Sequence, residues 1–201
     1  MKNLQNNMIP KQKKVDGPGA VIDNKETTLT LDKVTTVKPK VLDLLQEQIK
    51  HELFAERLYY SIASWADWKG YPQTAKFFST HAAEEHKHAM SFVNFIQKRG
   101  EQALFPDTEL PIQKFENIKE AVDAALDHEY FITDRIKNIY EVALQEKDYL
   151  ALEQARVFLG EQTEEEQLFL SLSKWLELND DKMSPDFEIE VMSIHERTSH
   201  I

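Results

Sequence analysis

The stretch Ala83-Glu84-Glu85-His86-Lys87-His88 lies inside a long segment whose apolar residues recur with helical spacing. Two of its members, Glu85 and His88, are three residues apart and therefore lie on one face of a helix. A carboxylate and an imidazole placed in this way can bind one metal ion. Alone, the pair is a weak indication, because the same spacing often arises by accident.

A second copy of the pattern occurs further along the chain. The first copy consists of Glu52, Glu85 and His88, and the second consists of Glu129, Gln162 and Glu165. The interval from the first to the second member is the same in both copies, and so is the interval from the second to the third. One constant shift along the sequence therefore relates all three pairs of positions. The matched spacing predicts that the two halves fold alike and contribute to one site.

Composition narrows the class of protein. The chain has 201 residues, enough for one domain with a sizeable core. A net charge of −11 argues against nucleic acid as a partner and is compatible with attracting cations. The absence of Cys excludes disulfides and thiolate metal sites, and it fits a reducing compartment. No apolar run reaches the roughly 18 residues of a membrane helix, so we expect a cytoplasmic protein that makes no membrane contact.

The chain divides into three regions. Residues 1–38 are polar and are predicted to form a flexible extension, with one short strand between Thr28 and Val37. The extension is either a tail without a role or a segment that contacts a partner. Residues 39–178 carry the long helices, and residues 179–201 a short C-terminal helix and tail.

Helical periodicity and the positions of Pro and Gly predict four long helices. They run from Pro39 to Lys69, from Pro72 to Gly100, from about Glu116 to Glu146 and from about Leu150 to Leu178. Short turns make consecutive helices antiparallel, whereas residues 101–115 predict a crossover along the bundle. The predicted fold is therefore all-α, a four-helix bundle with a long second crossover and a short fifth helix from Pro185. That fifth helix is too short to be stable alone, so it must dock on the bundle or on a neighbouring subunit.

All six candidate residues fall at one level of this bundle. Glu52 precedes the turn at Gly70 by the same interval as Glu129 precedes the turn at Lys147, and the other four residues follow these turns at matching intervals. Apolar neighbours predict that the carboxylates are buried, which is costly unless they are paired or bind a metal. Carboxylates with one imidazole suit iron or manganese, although zinc also binds such ligands. The alternatives are surface salt bridges at coincidental spacing and a bundle that keeps the pattern without the activity.

Single Glu residues on two helices and Glu-x-x-His pairs on the others are the plan of di-iron helix bundles. Over Pro39–Leu178 the chain resembles a non-haem ferritin of the prokaryotic type. The resemblance is carried by His51-Glu52-Leu53, Tyr59, the segment from His81 to His88, His128-Glu129 and the segment from Glu161 to Glu166. It implies a hollow shell of 24 copies that oxidises Fe²⁺ with O₂ or H₂O₂ and stores Fe³⁺ as mineral.

The resemblance also implies roles for individual residues. One iron would use Glu52, Glu85 and His88, and the other Glu85, Glu129 and Glu165, with Gln162 close by. Tyr59 lies two turns beyond Glu52 and is either an electron donor or a core tyrosine with a satisfied hydroxyl. A third iron site would use Glu84, Glu161, Glu164 and Glu165, unless these four residues form a solvated face.

Two departures separate the chain from related classes. The second pair ends in Glu165 rather than His, and His86 follows Glu85, so we expect no haem. Rubredoxin-type sites are excluded because they need Cys pairs. Two rival functions remain open: a di-iron oxidase or oxygenase acting on an organic substrate, and a ferritin-like interaction protein without catalysis.

Overall fold

The computed structural model describes residues 36–180 and 184–198, and the regular structure in these ranges is helical. The helices are α1 (Pro39–Trp68), α2 (Pro72–Lys98), α3 (Ile118–Gln145), α4 (Tyr149–Leu178) and α5 (Pro185–Thr198). The all-α prediction is confirmed. Thr36 and Val37 are not in a strand, and the rest of the predicted strand lies outside the described residues, as does nearly all of the predicted flexible extension.

Local sequence sets the helix ends. Pro39 and Pro72 occupy first-turn positions, where a missing N–H costs nothing. Gly70 lies between α1 and α2 with a φ of 87°, which a residue without a Cβ adopts at little cost. Asn117 and Asp148 cap α3 and α4, because their side chains accept hydrogen bonds from backbone N–H groups of the first turn.

The connection from α2 to α3 runs along the length of α1. Near its start, the Gln46 amide donates to the carbonyl of Gln102 at 2.9 Å and accepts from the backbone N–H of Leu104 at 2.7 Å. Near its end, the rings of Trp65 and Phe115 meet edge to face at 5.7 Å. The predicted crossover is therefore present, and it joins two antiparallel hairpins, α1–α2 and α3–α4.

Helix α5 docks on its own bundle, which was one of the two predicted possibilities. Phe187 is fully buried and packs against Trp175 of α4. The Glu188 carboxylate accepts hydrogen bonds from the backbone N–H groups of Gln73 and Thr74 at 2.8 and 2.9 Å. Glu188 therefore caps the first turn of α2, where unpaired N–H groups favour a negative charge.

A polar layer divides the core in two. One apolar cluster, which includes Tyr59, Phe78 and Phe169, fills the end of the bundle that carries α5. The other, which includes Ile49 and Phe92, fills the opposite end. Buried polar side chains lie between them: Gln48, Glu52, His81, Glu85, Glu129, Thr133 and Gln162. In the described ranges, no helix combines the length and the apolar character needed to cross a bilayer.

Candidate metal centre

Four helices each contribute a buried residue to the middle of the bundle. Glu52 of α1, Glu85 of α2, Glu129 of α3 and Gln162 of α4 are each no more than 3% exposed. The prediction placed these residues at one level, and the structure buries all four. Carboxylates in such an environment need a counter-charge, and among the described residues no Lys or Arg forms an ion pair with any of these three Glu side chains.

The first ligand group consists of Glu52, Glu85 and His88, whose ligand atoms lie within 4.8 Å of one another. Nδ1 of His88 is 3.4 Å from Oε2 of Glu85. Oε1 of Glu52 accepts a hydrogen bond of 2.8 Å from Gln48, while Oε2 is buried and accepts none from the described residues. A divalent cation bound by these three side chains would supply the missing partner.

Glu129 is held by two donors on other helices. The Tyr59 hydroxyl donates to Oε1, and Nε2 of Gln162 donates to Oε2 at 2.8 Å. The Tyr59 ring packs 5.5 Å from Phe169 and 6.0 Å from Phe78. Tyr59 thus lies beside the centre, as the sequence predicted, and its hydroxyl is satisfied by a candidate ligand.

A second ligand group consists of His81, Glu84 and Glu165. Nδ1 of His81 lies 3.3 Å from Oε2 of Glu84 and 3.5 Å from Oε2 of Glu165. Of the four residues predicted for a third iron, the structure therefore brings Glu84 and Glu165 together. Glu161 lies instead beside His88, at 3.7 Å, and Glu164 is exposed.

His81 was not among the predicted site residues, although a signal for it was present in the sequence. Residues 81–88 read as a palindrome, His-x-x-Glu-Glu-x-x-His, with Glu84 and Glu85 at its centre. Residues three apart share a helix face, so each histidine meets the nearer carboxylate. The palindrome places one His–Glu pair in each ligand group.

Burial makes this layer proton-rich when no metal is bound. It raises the pKa of Glu85 well above its usual value, and the charges of Glu129 and Glu165 act in the same direction. The pKa of Glu52 is also well above its usual value, through burial and the charge of Glu85. Burial raises the pKa of Glu129 as well, and that of Glu165 to about 8. Cations entering the layer must therefore displace protons.

Four long helices around a buried layer of carboxylates and histidine match the plan of four-helix bundles that bind metal ions in their core. The chain belongs to the ferritin family: residues 42–178 match the model described as "Ferritin-like domain". This membership confirms the resemblance found in the sequence and supports a role in iron storage.

Relatives agree with this assignment. The chain is 34% identical over 132 residues to a "Probable bacterial non-heme ferritin-like protein" of Haemophilus influenzae, covering 66% of this chain and 80% of the relative. It is 36% identical over 129 residues to the bacterial non-heme ferritin of Staphylococcus aureus, covering 64% of this chain and 78% of the relative.

Solved structures share the fold. An open-pore ferritin from the archaeon Archaeoglobus fulgidus superposes with a TM-score of 0.71 at 27% identity, covering 80% of this chain and 97% of that one. A humanized archaeal ferritin superposes with a TM-score of 0.74 at 27% identity, covering 79% of this chain and 97% of that one.

Proposed function

We propose that this protein oxidises Fe²⁺ at the buried carboxylate centre and stores the ferric product inside a hollow shell of 24 copies. The observation that carries the proposal is the pair of adjacent ligand groups in a buried acidic layer. Substrate Fe²⁺ supplies the positive charge that this layer lacks. Family membership favours iron among the cations that such ligands accept.

The two substrate ions have different ligands in this proposal. The first is bound by Glu52, Glu85 and His88, which already form one group. The second is bound by Glu85, Glu129 and Glu165, with Gln162 holding Glu129 in place. Glu85 is then shared by both ions. In addition to burial, the charges of Glu129 and Glu165 raise the pKa of Glu85, which supports a position of Glu85 close to both carboxylates.

The chemistry is electron transfer from iron to an oxidant. Each Fe²⁺ loses one electron, so two ions together reduce one O₂ to H₂O₂, or one H₂O₂ to two water molecules, with uptake of two protons. The carboxylates release protons when Fe²⁺ binds, in the same layer where the oxidant is reduced. Tyr59 contacts Glu129 directly and is the nearest candidate for an additional electron.

The exposure of the ligands supports a path out of the centre. Glu85 is buried, the Glu84 side chain next to it is 38% exposed, and Glu161 beside His88 is 49% exposed. Acidic side chains therefore lead from the centre to the surface of α2 and α4. Fe³⁺ leaving by this path would enter the cavity of the shell.

Assembly into a homo-oligomer is supported by the surface of the subunit. Large apolar side chains are exposed along α1 and the crossover: Tyr60, Leu104, Phe105, Leu110 and Ile112. Such a surface favours contact with another protein chain. The structural relatives include an open-pore ferritin and an engineered closed form of a ferritin. A pore that can be open or closed is a feature of a hollow shell, which supports assembly of this chain into one. The number of 24 chains and a cytoplasmic location rest on the resemblance and on composition.

The test is an anaerobic Fe²⁺ titration followed by exposure to air, with particle mass measured by light scattering. We expect two tightly bound ions per chain for the di-iron centre, fast oxidation and a particle of about 24 chains. Glu85→Ala should abolish fast oxidation and leave assembly intact, because it removes the shared ligand. Glu153→Ala is the matched control, since Glu153 pairs with Arg156 on the surface and belongs to neither ligand group.

Oxidation no faster than in buffer would overturn the proposal. A discrete dimer that consumes O₂ only when an organic compound is present would favour the di-iron oxidase or oxygenase instead. An assembled shell that binds no iron would favour an interaction protein.

A further inference from the structure

A cavity of about 460 Å³ lies on the surface of α2, next to the start of α4. Cavities of this size commonly hold small molecules in proteins. All of its lining residues belong to α2 except Gln154, which belongs to α4. None of them is a member of either ligand group. The cavity is therefore separate from the buried carboxylate centre.

The charge of this cavity is opposite to that of the protein. The whole chain carries −11, yet the described residues that line the cavity include Lys87, Lys98 and His86 and no Asp or Glu. Within the described part of the chain, neither lysine forms an ion pair. Glu56, whose Oε2 lies 3.2 Å from Nδ1 of His86, belongs to α1 and does not line the cavity. Two ammonium groups without a counter-charge favour an anionic ligand.

Hydrogen-bond donors lie between the two lysines. Intervals of four, three and four residues separate four lining residues, which therefore form one stripe along α2: Lys87, Ser91, Asn94 and Lys98. Nε2 of Gln154 donates to Oγ of Ser91 at 3.1 Å. The Ser91 hydroxyl has no acceptor of its own among the described residues, so its proton is available to a ligand. The stripe thus offers donors along its whole length.

The length of the stripe determines the shape of the anion. Lys87 and Lys98 are eleven residues apart, which is about 16.5 Å along the helix at 1.5 Å per residue. One phosphate group would contact both ammonium groups only if both long side chains leaned toward it, which costs side-chain entropy. A chain of linked phosphates brings anionic oxygens to both lysines without this cost.

We propose that this cavity binds a short linear oligophosphate, extended along α2 between Lys87 and Lys98. The two ammonium groups bind its ends, and the Ser91 hydroxyl and the Asn94 amide donate to oxygens between them. A nucleic acid strand also carries phosphates in a row, but it extends beyond the cavity, where the charge of −11 repels it. The compact, fully anionic chain is therefore the favoured ligand.

The site lies beside the acidic path that leads from the buried centre. Glu84, which begins this path on α2, is one turn before Lys87. An oligophosphate in the cavity would therefore lie next to ions that leave the centre. This neighbouring role rests on the proposed function, whereas binding of the oligophosphate does not.

The experiment uses the assembled, metal-free protein, so its result does not depend on iron. Calorimetry at constant ionic strength measures the binding of inorganic triphosphate, orthophosphate and a short single-stranded oligodeoxynucleotide. We expect one triphosphate per chain. Orthophosphate should bind at least about tenfold more weakly, because it reaches only one lysine and loses the charged hydrogen bonds of the other. The oligodeoxynucleotide should bind more weakly than triphosphate.

Variants of the lysines test the proposed contacts. Lys87→Met and Lys98→Met should each weaken triphosphate binding about tenfold, because each removes one charged donor. Lys87→Arg keeps the charge and should retain most of the affinity, which separates loss of charge from damage to the fold. Lys76→Met is the matched control, since Lys76 is exposed on the same helix and does not line the cavity.

Triphosphate affinity that is the same in both methionine variants as in the wild type would overturn the inference. Orthophosphate or the oligodeoxynucleotide binding as tightly as triphosphate would also overturn it, since neither matches a short linear oligophosphate. A protein that binds triphosphate through these lysines but oxidises no Fe²⁺ would uphold this site and overturn the proposed function. The two proposals can therefore fail independently.

Discussion

Nε2 of Gln48 donates a hydrogen bond of 2.8 Å to Oε1 of Glu52, one turn further along α1. Both side chains are buried. The bond occupies one oxygen of Glu52 and leaves Oε2 facing no donor among the described residues. It also favours the charged carboxylate, in opposition to burial, which raises the pKa of Glu52. Gln48 therefore orients a candidate ligand and helps to keep it ionised.

Replacing Gln48 tests this role. Gln48→Leu removes the donor while keeping an apolar side chain of similar size, so Glu52 should bind its ion about 10–100-fold more weakly. The affinity of the first Co²⁺ ion, measured by calorimetry on the metal-free protein, reports the change. Gln154→Leu is the control, because it removes a half-buried hydrogen bond to Ser91, and neither residue belongs to a ligand group. Equal affinity in Gln48→Leu and wild type would show that Gln48 has only a packing role.

The buried carboxylates should make the metal-free protein less stable as the pH rises. Burial, followed by the charge of Glu129, raises the pKa of Glu165 from its usual 4.5 to about 8. A group whose pKa is higher in the folded state binds more protons when folded, so stability falls as the pH rises from about 4.5 to about 8. We expect a higher melting temperature at pH 6 than at pH 8, and Glu165→Gln should reduce the difference.

Bound metal should reverse this trend. Co²⁺ replaces the protons, so it should raise the melting temperature more at pH 8 than at pH 6. Scanning calorimetry with and without Co²⁺ measures both effects, and Glu153→Gln controls for the loss of an exposed carboxylate. A metal-free protein equally stable at the two pH values would contradict the raised pKa of Glu165.

Tyr59→Phe separates the two interpretations of this tyrosine. The variant keeps the ring that packs on Phe78 and Phe169 and loses the hydrogen bond to Glu129. We expect the variant to bind the same number of ions but to oxidise Fe²⁺ more slowly in the first turnover. Stopped-flow absorbance measures this rate. If Tyr59 is only a core residue, the variant will oxidise iron at the wild-type rate and lose about 1–3 kcal/mol of stability from the unpaired acceptor.

A buried ion pair at the end of the bundle opposite α5 should contribute strongly to the free energy of unfolding. Nη1 of Arg99 lies 2.6 Å from Oδ1 of Asp148, and both side chains are less than a tenth exposed. Asp148→Ala leaves the Arg99 charge unpaired, which should cost about 3–5 kcal/mol in urea unfolding. Glu153→Ala breaks the exposed pair with Arg156 and should have little effect on stability, because solvent screens such pairs. A loss in Asp148→Ala as small as that of the exposed pair would show that Arg99 finds another partner.

The sequence predicted the helices because their ends are marked by local chemistry. Pro39 and Pro72 begin two helices as expected, and Gly70 and Gly100 lie just beyond the ends of α1 and α2. Helix α3 begins two residues later than expected, since Asn117 caps it through the backbone N–H of Glu120. Such a cap depends on side-chain geometry that periodicity does not describe.

The internal repeat also explains which buried polar residues the sequence missed. The shift that relates Glu52 to Glu129 reveals only residues that have a counterpart of similar chemistry. Under the same shift, the counterpart of His81 is Phe158 and the counterpart of Gln48 is Ala125. The repeat therefore marks neither His81 nor Gln48 as a candidate. Burial of both depends on tertiary packing between helices. The direction of each side chain likewise decides which of the four acidic residues predicted for a third iron come together. Sequence spacing alone does not predict these directions.

The mid-helix position of the centre has a consequence for its dynamics. Glu85 lies at the midpoint of α2, and Glu129 lies about three turns from the start of α3. At about 1.5 Å per residue, each is at least about 16 Å from the nearest helix end. Fraying of the ends therefore leaves the ligands in place, and amide hydrogens around them should exchange only through cooperative opening of the bundle. If the proposed oxidation takes place here, iron that leaves during turnover would therefore pass between folded helices, through rotation of side chains and without local unfolding.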